Sequence, residues 1–396
     1  MDFASALSRH PVTSQALGEA MGSILDQVGD RPDLVVITVT RPHAGALEDV
    51  VSTVDAVLHP LGLLGCAAES VVGTATEVEE LPAISIWAGR VGPLVPVALA
   101  AVRTGDDGWR FDGLPTGVGF TPSALLVLAD PFSFPVAEFV ADLDVARPGL
   151  PVIGGYASGA SGPGGTRLAL GRRVLETGAV AVLLGPATEV VPVVSQGGRP
   201  FGRLRTVTRV ERNLVLEIAG RPAMECMVDE IAEHLGRAAI AGIEGNGLLL
   251  GRCVDTRVLD PGPEDLLFRP LVGVERATGA LAVEGRIPLG SVVQFAIRDA
   301  RTSGTDLAAS LAGRQADAAL LFTCNGRGTR LFDVPHHDAD VVDAALGPVP
   351  LGGMFAAGEF GPVGGANFVH SFAASLALFR SREPDPGPSP RSVLDR

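Results

Sequence analysis

Between Ala318 and Gly365 the chain alternates a short apolar run, a polar turn, a one-faced apolar stripe and a second apolar run. The run 318–322 stops abruptly at Cys324-Asn325-Gly326, the pattern of a buried strand. Val341, Val342, Ala345 and Leu346 then share one helix face, and Gly347-Pro348 ends the helix. A second apolar strand breaks into Gly358-Glu359, Gly361, Gly364 and Gly365. Polar chemistry collects just past the carboxyl end of each strand, where parallel α/β sheets bind ligands.

The same plan occurs twice earlier. A strand at 34–40 precedes a stripe of Leu47, Val50, Val51, Val54, Val57 and Leu58, then LLGCAAESVVG at 63–73. A strand at 124–129 precedes Val136, Phe139, Val140 and Leu143 at i, i+3, i+4, i+7, then PVIGGYASGASG at 151–162. Three related units of about forty residues point to a duplicated βαβ element. Around them the pattern predicts a helix over 12–28, two antiparallel strands at 83–87 and 94–102, and a turn at Asp106-Asp107-Gly108. Strands follow near 166–170, 178–184 and 188–194. Gly197-Gly198-Arg199-Pro200 marks a boundary, beyond which 202–220 reads as a hairpin and Pro222 opens a helix. The stretch 242–263 is rich in glycine and proline, and strands follow near 267–275, 280–284 and 291–298. A helix centred on Leu307 and Leu311 comes next, and Val369, Phe372, Ala373, Leu376 and Phe379 predict a final helix over 366–379. The proline-rich tail is expected to be disordered.

At 396 residues the chain is long enough for two domains, and 46% apolar residues can fill large cores. No segment reaches the roughly twenty uninterrupted apolar residues of a membrane span, and the start lacks a signal-peptide pattern. Four scattered cysteines with no CxxC or zinc spacing fit free thiols in a reducing cytoplasm. A net charge of −14 argues against a nucleic-acid partner. All 31 basic residues are arginine. Without lysine there is no Walker A phosphate loop and no pyridoxal Schiff base. No GxGxxG follows a strand, so no dinucleotide cofactor is expected, nor any other cofactor.

The candidate chemistry sits in the loops. The glycine-rich loop from Gly361 through Gly364 and Gly365 to Asn367 leads into the expected helix, where free N–H groups bind an anion or Asn367 simply caps. Cys324, with Asn325 and Arg327 behind it, is either a partly ionised thiol or a buried inert one. A thiol hydrolase needs a histidine partner, and His336, His337 and His370 are available. Glu359, after Gly358, either meets a ligand or pairs with Arg298 or Arg327, and Glu69 is its counterpart in the first unit. Arg298-Asp299 is either a self-paired couple or one that opens toward ligand. His336-His337-Asp338 reads as a solvated loop rather than a metal site.

The segments VVQFAIRD (292–299), LLFTCNGRGTRLF (320–332), VPLGGMFAAGEFGPVGG (349–365) and NFVHSF (367–372) resemble the FIST C domain, and LLGCAAESVVG (63–73) the FIST N domain. The stretch opening at GRPFGRLRTV matches their join. The resemblance divides the chain into a FIST N-like domain at 12–197, a FIST C-like domain at 198–380 and a tail at 381–396. It implies a two-domain α/β sensory protein in the cytoplasm that binds a small ligand, an amino acid or related carboxylate, and signals through a separate partner. No reaction and no metal are implied; an enzyme would centre on Cys324. From the loops themselves, the expected ligand-binding residues are Arg298, Asp299, Cys324, Asn325, Arg327, Gly358, Glu359, Gly364, Gly365, Asn367 and His370.

Overall fold

The computed structural model describes residues 2–105, 108–236, 247–255, 257–258 and 261–381. The Asp106-Asp107 turn, parts of the 242–263 stretch and the tail beyond Ser381 lie outside the described residues.

Three βαβ units form the body. Their parallel pairs are Leu34–Thr40 with Gly62–Ala68, Ala124–Ala129 with Val152–Tyr156, and Ala318–Cys324 with Leu351–Ala356. Helices Leu47–Leu58, Val136–Ala146 and His337–Leu346 make the crossovers. Register matches across the units, with Ile37 opposite Gly65, Val127 opposite Gly154 and Leu321 opposite Gly353. Each first strand also pairs with an antiparallel strand: Ile84–Gly89, Ala179–Leu184 or Ala374–Ser381. The expected strands near 83–87 and 94–102 therefore form, but in sheets of different units.

The units are tied by a cyclic exchange of hairpins. The first unit sends Ser70–Gly73 and Thr76–Glu79 into the third unit's sheet. The second sends Leu168–Leu170 and Arg173–Leu175 into the first unit's sheet. The third sends Glu359–Val363 and Ala366–His370 into the second unit's sheet. Alternate side chains of the three units, among them Val36, Leu64, Leu128, Phe322 and Met354, meet in one central cluster. The opposite faces lie under the helices, Ile37 against Val54 and Leu321 against Val342. Burial on both faces is why these strands read as unbroken apolar runs. Each such buried side chain contributes about 1.5–3 kcal/mol.

Inserted between Thr188–Ser195 and helix Ala300–Leu311 is an antiparallel barrel. Arg199–Glu211 pairs with Val292–Ile297 on one side and Leu214–Ile218 on the other, closing a ring through Leu248–Cys253, Leu266–Glu275 and Ala280–Val283. Closure leaves these strands no free edge. Helix Ala223–His234 packs Ala223, Cys226 and Ile231 into the barrel's core.

The final helix expected over 366–379 is replaced by the strands Ala366–His370 and Ala374–Ser381. Gly364 and Gly365, at φ of 58° and 82°, make a two-residue hairpin turn. Residues 374–379 are buried on every side, so the apparent helical spacing carries no face information.

Candidate functional site

Thr40, Asp130 and Cys324 occupy equivalent positions at the ends of the three first strands. Their N–H groups donate to Ala83, Gly178 and Ala373 carbonyls at 3.0, 2.9 and 3.0 Å. In the first two units the side chain is satisfied internally. The Thr40 hydroxyl accepts from Ala83 N–H at 2.8 Å, and Asp130 accepts from Thr166 and Ser133 hydroxyls at 2.6 and 2.5 Å. In the third unit Cys324 instead lines an open cavity of about 370 Å³. Asn325, Gly358 and Phe372 share its body wall, and Pro270, Val272 and Glu284 of the barrel form the other side.

Behind this wall lie charged groups short of partners. Glu359 is fully buried; its Oε2 accepts from Ala373 N–H at 3.0 Å, and the carboxyl lies against the Cys324 thiol. Burial pushes this carboxyl well above its ordinary range. Burial and then Glu359 push the Cys324 thiol up as well. Arg298 lies with its guanidinium 4.0 Å from the centre of the Phe372 ring, and its Nε and Nη1 are buried without acceptors. Burial lowers it to about 10, which leaves it a cation. Phe372 has φ of 62°, a strained conformation for an aromatic residue.

Arg327 is fully buried and makes a bidentate pair with Asp338, Nε to Oδ2 and Nη2 to Oδ1, both at 2.7 Å. Asp338 also accepts from the Thr323 hydroxyl at 2.6 Å and lies 3.0 Å from His337 Nδ1. Burial alone would raise the Asp338 carboxyl; the Arg327 guanidinium outweighs it and holds it well below the usual range. The first unit's hairpin brings buried Glu77 beside this pair, its Oε1 accepting from Ala339 N–H at 2.9 Å and its Oε2 unpartnered. Burial and then Asp338 push Glu77 up to about 8 from its ordinary 4.5. The unfolded chain thus releases this proton near 4.5 and the folded one near 8, so stability falls as pH rises between those values. Glu77→Gln removes that loss. Its melting temperature is expected to exceed the wild type's by a margin that is small near about pH 5 and several degrees near about pH 8.

The structure brings together Arg298, Cys324, Asn325, Arg327, Gly358 and Glu359 and separates the other expected residues. Asp299 caps helix Ala300–Leu311, accepting from Thr302 N–H at 2.7 Å, and does not pair with Arg298. Asn367 caps no helix. Its side chain holds Val152 N–H at 2.7 Å, the Leu150 carbonyl at 2.9 Å and Asp144 at 2.5 Å. The anion site expected at Gly361–Asn367 therefore lacks its helix, because Gly364-Gly365 is a strand turn. His370 is buried with Nε2 on the Gly361 carbonyl at 3.0 Å, and burial lowers it to about 4, a neutral ring. Register makes Val71 the counterpart of Glu359, and Ala357 that of Glu69. Glu69 instead gathers Arg330 and Arg41. Asp338, read in sequence as part of a solvated loop, is buried, and His337 stacks on Phe332. Phe372, Asp338 and Glu77 carried no local signal of their roles.

Two larger cavities, of about 520 and 450 Å³, run along helix Ala300–Leu311; Gly364 lines the first and Asp299 the second. Asp306, common to both, is already satisfied by the Ser195 hydroxyl at 2.7 Å and Gly197 N–H at 2.8 Å. Size therefore favours these cavities and unsatisfied chemistry favours the smaller one. Among the described residues, Glu230, Glu233 and His234 alone converge in metal-like spacing, and Arg205 occupies Glu230 at 2.7 Å.

A threefold-repeated βαβ body with an inserted barrel, and a largely apolar cavity where the two meet, defines the class of this protein. The chain belongs to the FIST family: it matches the FIST N domain over residues 33–221 and the FIST C domain over 215–362. FIST domains are associated with sensory signal transduction and small-ligand binding. The chain is similar to the uncharacterized protein Mb0898c of Mycobacterium bovis, 39% identical over 381 residues that cover 93% of this chain and 96% of the relative. It is also similar to the uncharacterized protein Rv0628c of Mycobacterium tuberculosis, 37% identical over 392 residues covering 96% and 100%.

Proposed function

We propose that this protein is a sensor that binds a small metabolite, an amino acid or a related carboxylate, in the cavity between the barrel and the third unit. The observation that supports this is a half-buried cation without an ion pair among the described residues, Arg298, stacked on the Phe372 ring that lines an open cavity, with the buried carboxyl of Glu359 next to the lining residue Gly358. A buried polar group without a partner costs about 1–3 kcal/mol, which a ligand that completes its bonds recovers. Arg298 takes the ligand's carboxylate, Glu359 orients its polar groups, and Cys324, Asn325 and Gly358 form the wall. A ligand held between barrel and body biases their relative position, and a separate signalling protein reads that change. Among the described residues no helix is long and apolar enough to cross a membrane. The four cysteines are free, which supports a reducing cytoplasm as the place of action. A thiol hydrolase centred on Cys324 has less support, since its thiol is pushed up rather than activated.

A thermal-shift screen of amino acids, small carboxylates and nucleotides tests the reading. A ligand at a hundred times its dissociation constant stabilises by about 2.7 kcal/mol. The shift is expected to vanish in Arg298→Ala and to persist in Asp299→Ala. A hit indifferent to Arg298→Ala, or silence across the library, contradicts it.

A further inference from the structure

The two larger cavities form one groove. They share Pro263, Asp306 and Ala309, and a further hollow of about 220 Å³ joins the first of them at Arg314. The floor is the outer face of helix Ala300–Leu311, where Thr302, Thr305, Asp306 and Ala309 recur at three- and four-residue spacing. Leu307 and Leu311 of the same helix are buried in the body. One bank belongs to the body, with Pro192 and Pro362, and the other to the barrel, with Pro263 and Phe268. Arg314, Arg301 and Arg199 stand exposed along the groove and form no ion pair among the described residues. The groove starts where the described chain leaves the body. Arg380 lines the 220 Å³ hollow beside Arg314, and Ser381 N–H donates to Asp317 at 2.7 Å. The sequence beyond, outside the described residues, reads REPDPGPSPRSVLDR over 382–396, with proline at 384, 386, 388 and 390.

We propose that residues 382–396 lie in this groove as a strap across the joint of body and barrel, running opposite in direction to helix Ala300–Leu311. The lengths agree. The helix of 12 residues extends about 18 Å, and 384–390 in the polyproline form, at about 3.1 Å per residue, cover about 20 Å. Alternate prolines fix φ before docking, so the segment loses little conformational freedom when it binds. Their rings suit banks made of Pro192, Pro263, Pro362 and Phe268, as proline-rich peptides suit aromatic-lined grooves. Charge sets the same course. Glu383 and Asp385 follow Arg380 closely enough to meet Arg314, and Asp395 reaches the end where Arg301 and Arg199 lie. Just before it, Val393 and Leu394 cover Pro200 and Pro263. The strap holds body to barrel whether or not the smaller cavity is filled.

Photocrosslinking in the full chain tests the strap. A small diazirine residue replaces either Ala309, which lines both larger cavities, or Ala308, its exposed neighbour off the groove. After irradiation and trypsin, the probe at Ala309 is expected to be joined to the peptide 383–391 of its own chain, in at least about fivefold the yield seen from Ala308. A tail that merely diffuses past labels both neighbours alike, so equal yields overturn the strap. Arg314→Glu is expected to lower the Ala309 yield at least about twofold, and Glu383→Arg with Asp385→Arg in that background to restore it. A yield unmoved by Arg314→Glu overturns the proposed course. Melting curves establish that each variant is folded. Crosslinks that join two chains assign the groove to a second copy, and crosslinks confined to other segments, or absent, leave it without the tail. Each of these results overturns the inference.

Discussion

Replacing Arg327 with methionine is expected to destabilise the fold by about 3–5 kcal/mol. The guanidinium is fully buried, and both of its bonds to Asp338 are 2.7 Å long. Its removal strands a carboxylate that is itself buried, with only Thr323 and His337 to hold it. Methionine fills much of the volume, so the lost packing is small and the unpaired charge dominates. Asp338→Asn in the same background should recover part of the loss, because a neutral amide in that place costs less than an isolated anion. Urea unfolding of the single and double variants measures this. A single-variant loss below about 1 kcal/mol would mean that the pair is solvated, as surface pairs are.

Gly353→Ala is expected to cost at least about 3 kcal/mol through backbone strain and collision together. Gly353 has φ of 143°, and a Cβ built on it falls 1.9 Å from the Leu321 carbonyl oxygen on the neighbouring strand. That oxygen belongs to a buried backbone, so no side-chain rotation relieves the contact. Gly154, its equivalent in the second unit, has φ of 148° with a Cβ 1.8 Å from the Val127 carbonyl, and its alanine variant should lose a similar amount. Gly18, in helix Thr13–Val28 with nothing within 4 Å, provides the control. Gly18→Ala should gain about 0.5–1 kcal/mol. Equal effects at Gly18 and Gly353 in chemical denaturation would contradict the close approach of the strands.

The three βαβ units were legible because each signal is local: a buried run, a one-faced stripe and a glycine turn within about forty residues. The exchange of hairpins was not. Gly154 pairs with Phe360, some two hundred positions away, and nothing in either segment names the other. The barrel's strands were readable one by one, while its closure depends on Arg199–Glu211 pairing on two sides. At the site, Arg298, Cys324, Arg327 and Glu359 stood out as polar residues at strand ends. Asp338 did not, because a buried carboxylate and a solvated one look alike beside two histidines. Asn367 and His370 misled for the opposite reason: a polar residue after glycines suggests a ligand, yet both serve the hairpin that locks the third unit to the second. Phe372 was placed inside a helix that does not form, since its spacing to Leu376 and Phe379 fits a helix as well as a buried strand.

Backbone hydrogen exchange, followed by mass spectrometry with and without the tightest-binding compound of the thermal-shift screen, tests most directly where the ligand sits. Protection is expected around 268–274 and 283–286 on the barrel, and around 323–327, 356–360 and 370–374 on the third unit. Protection confined to helix Ala300–Leu311 and the 196–200 linker would place the ligand in the larger cavities instead, and the role given to Arg298 and Glu359 would be wrong.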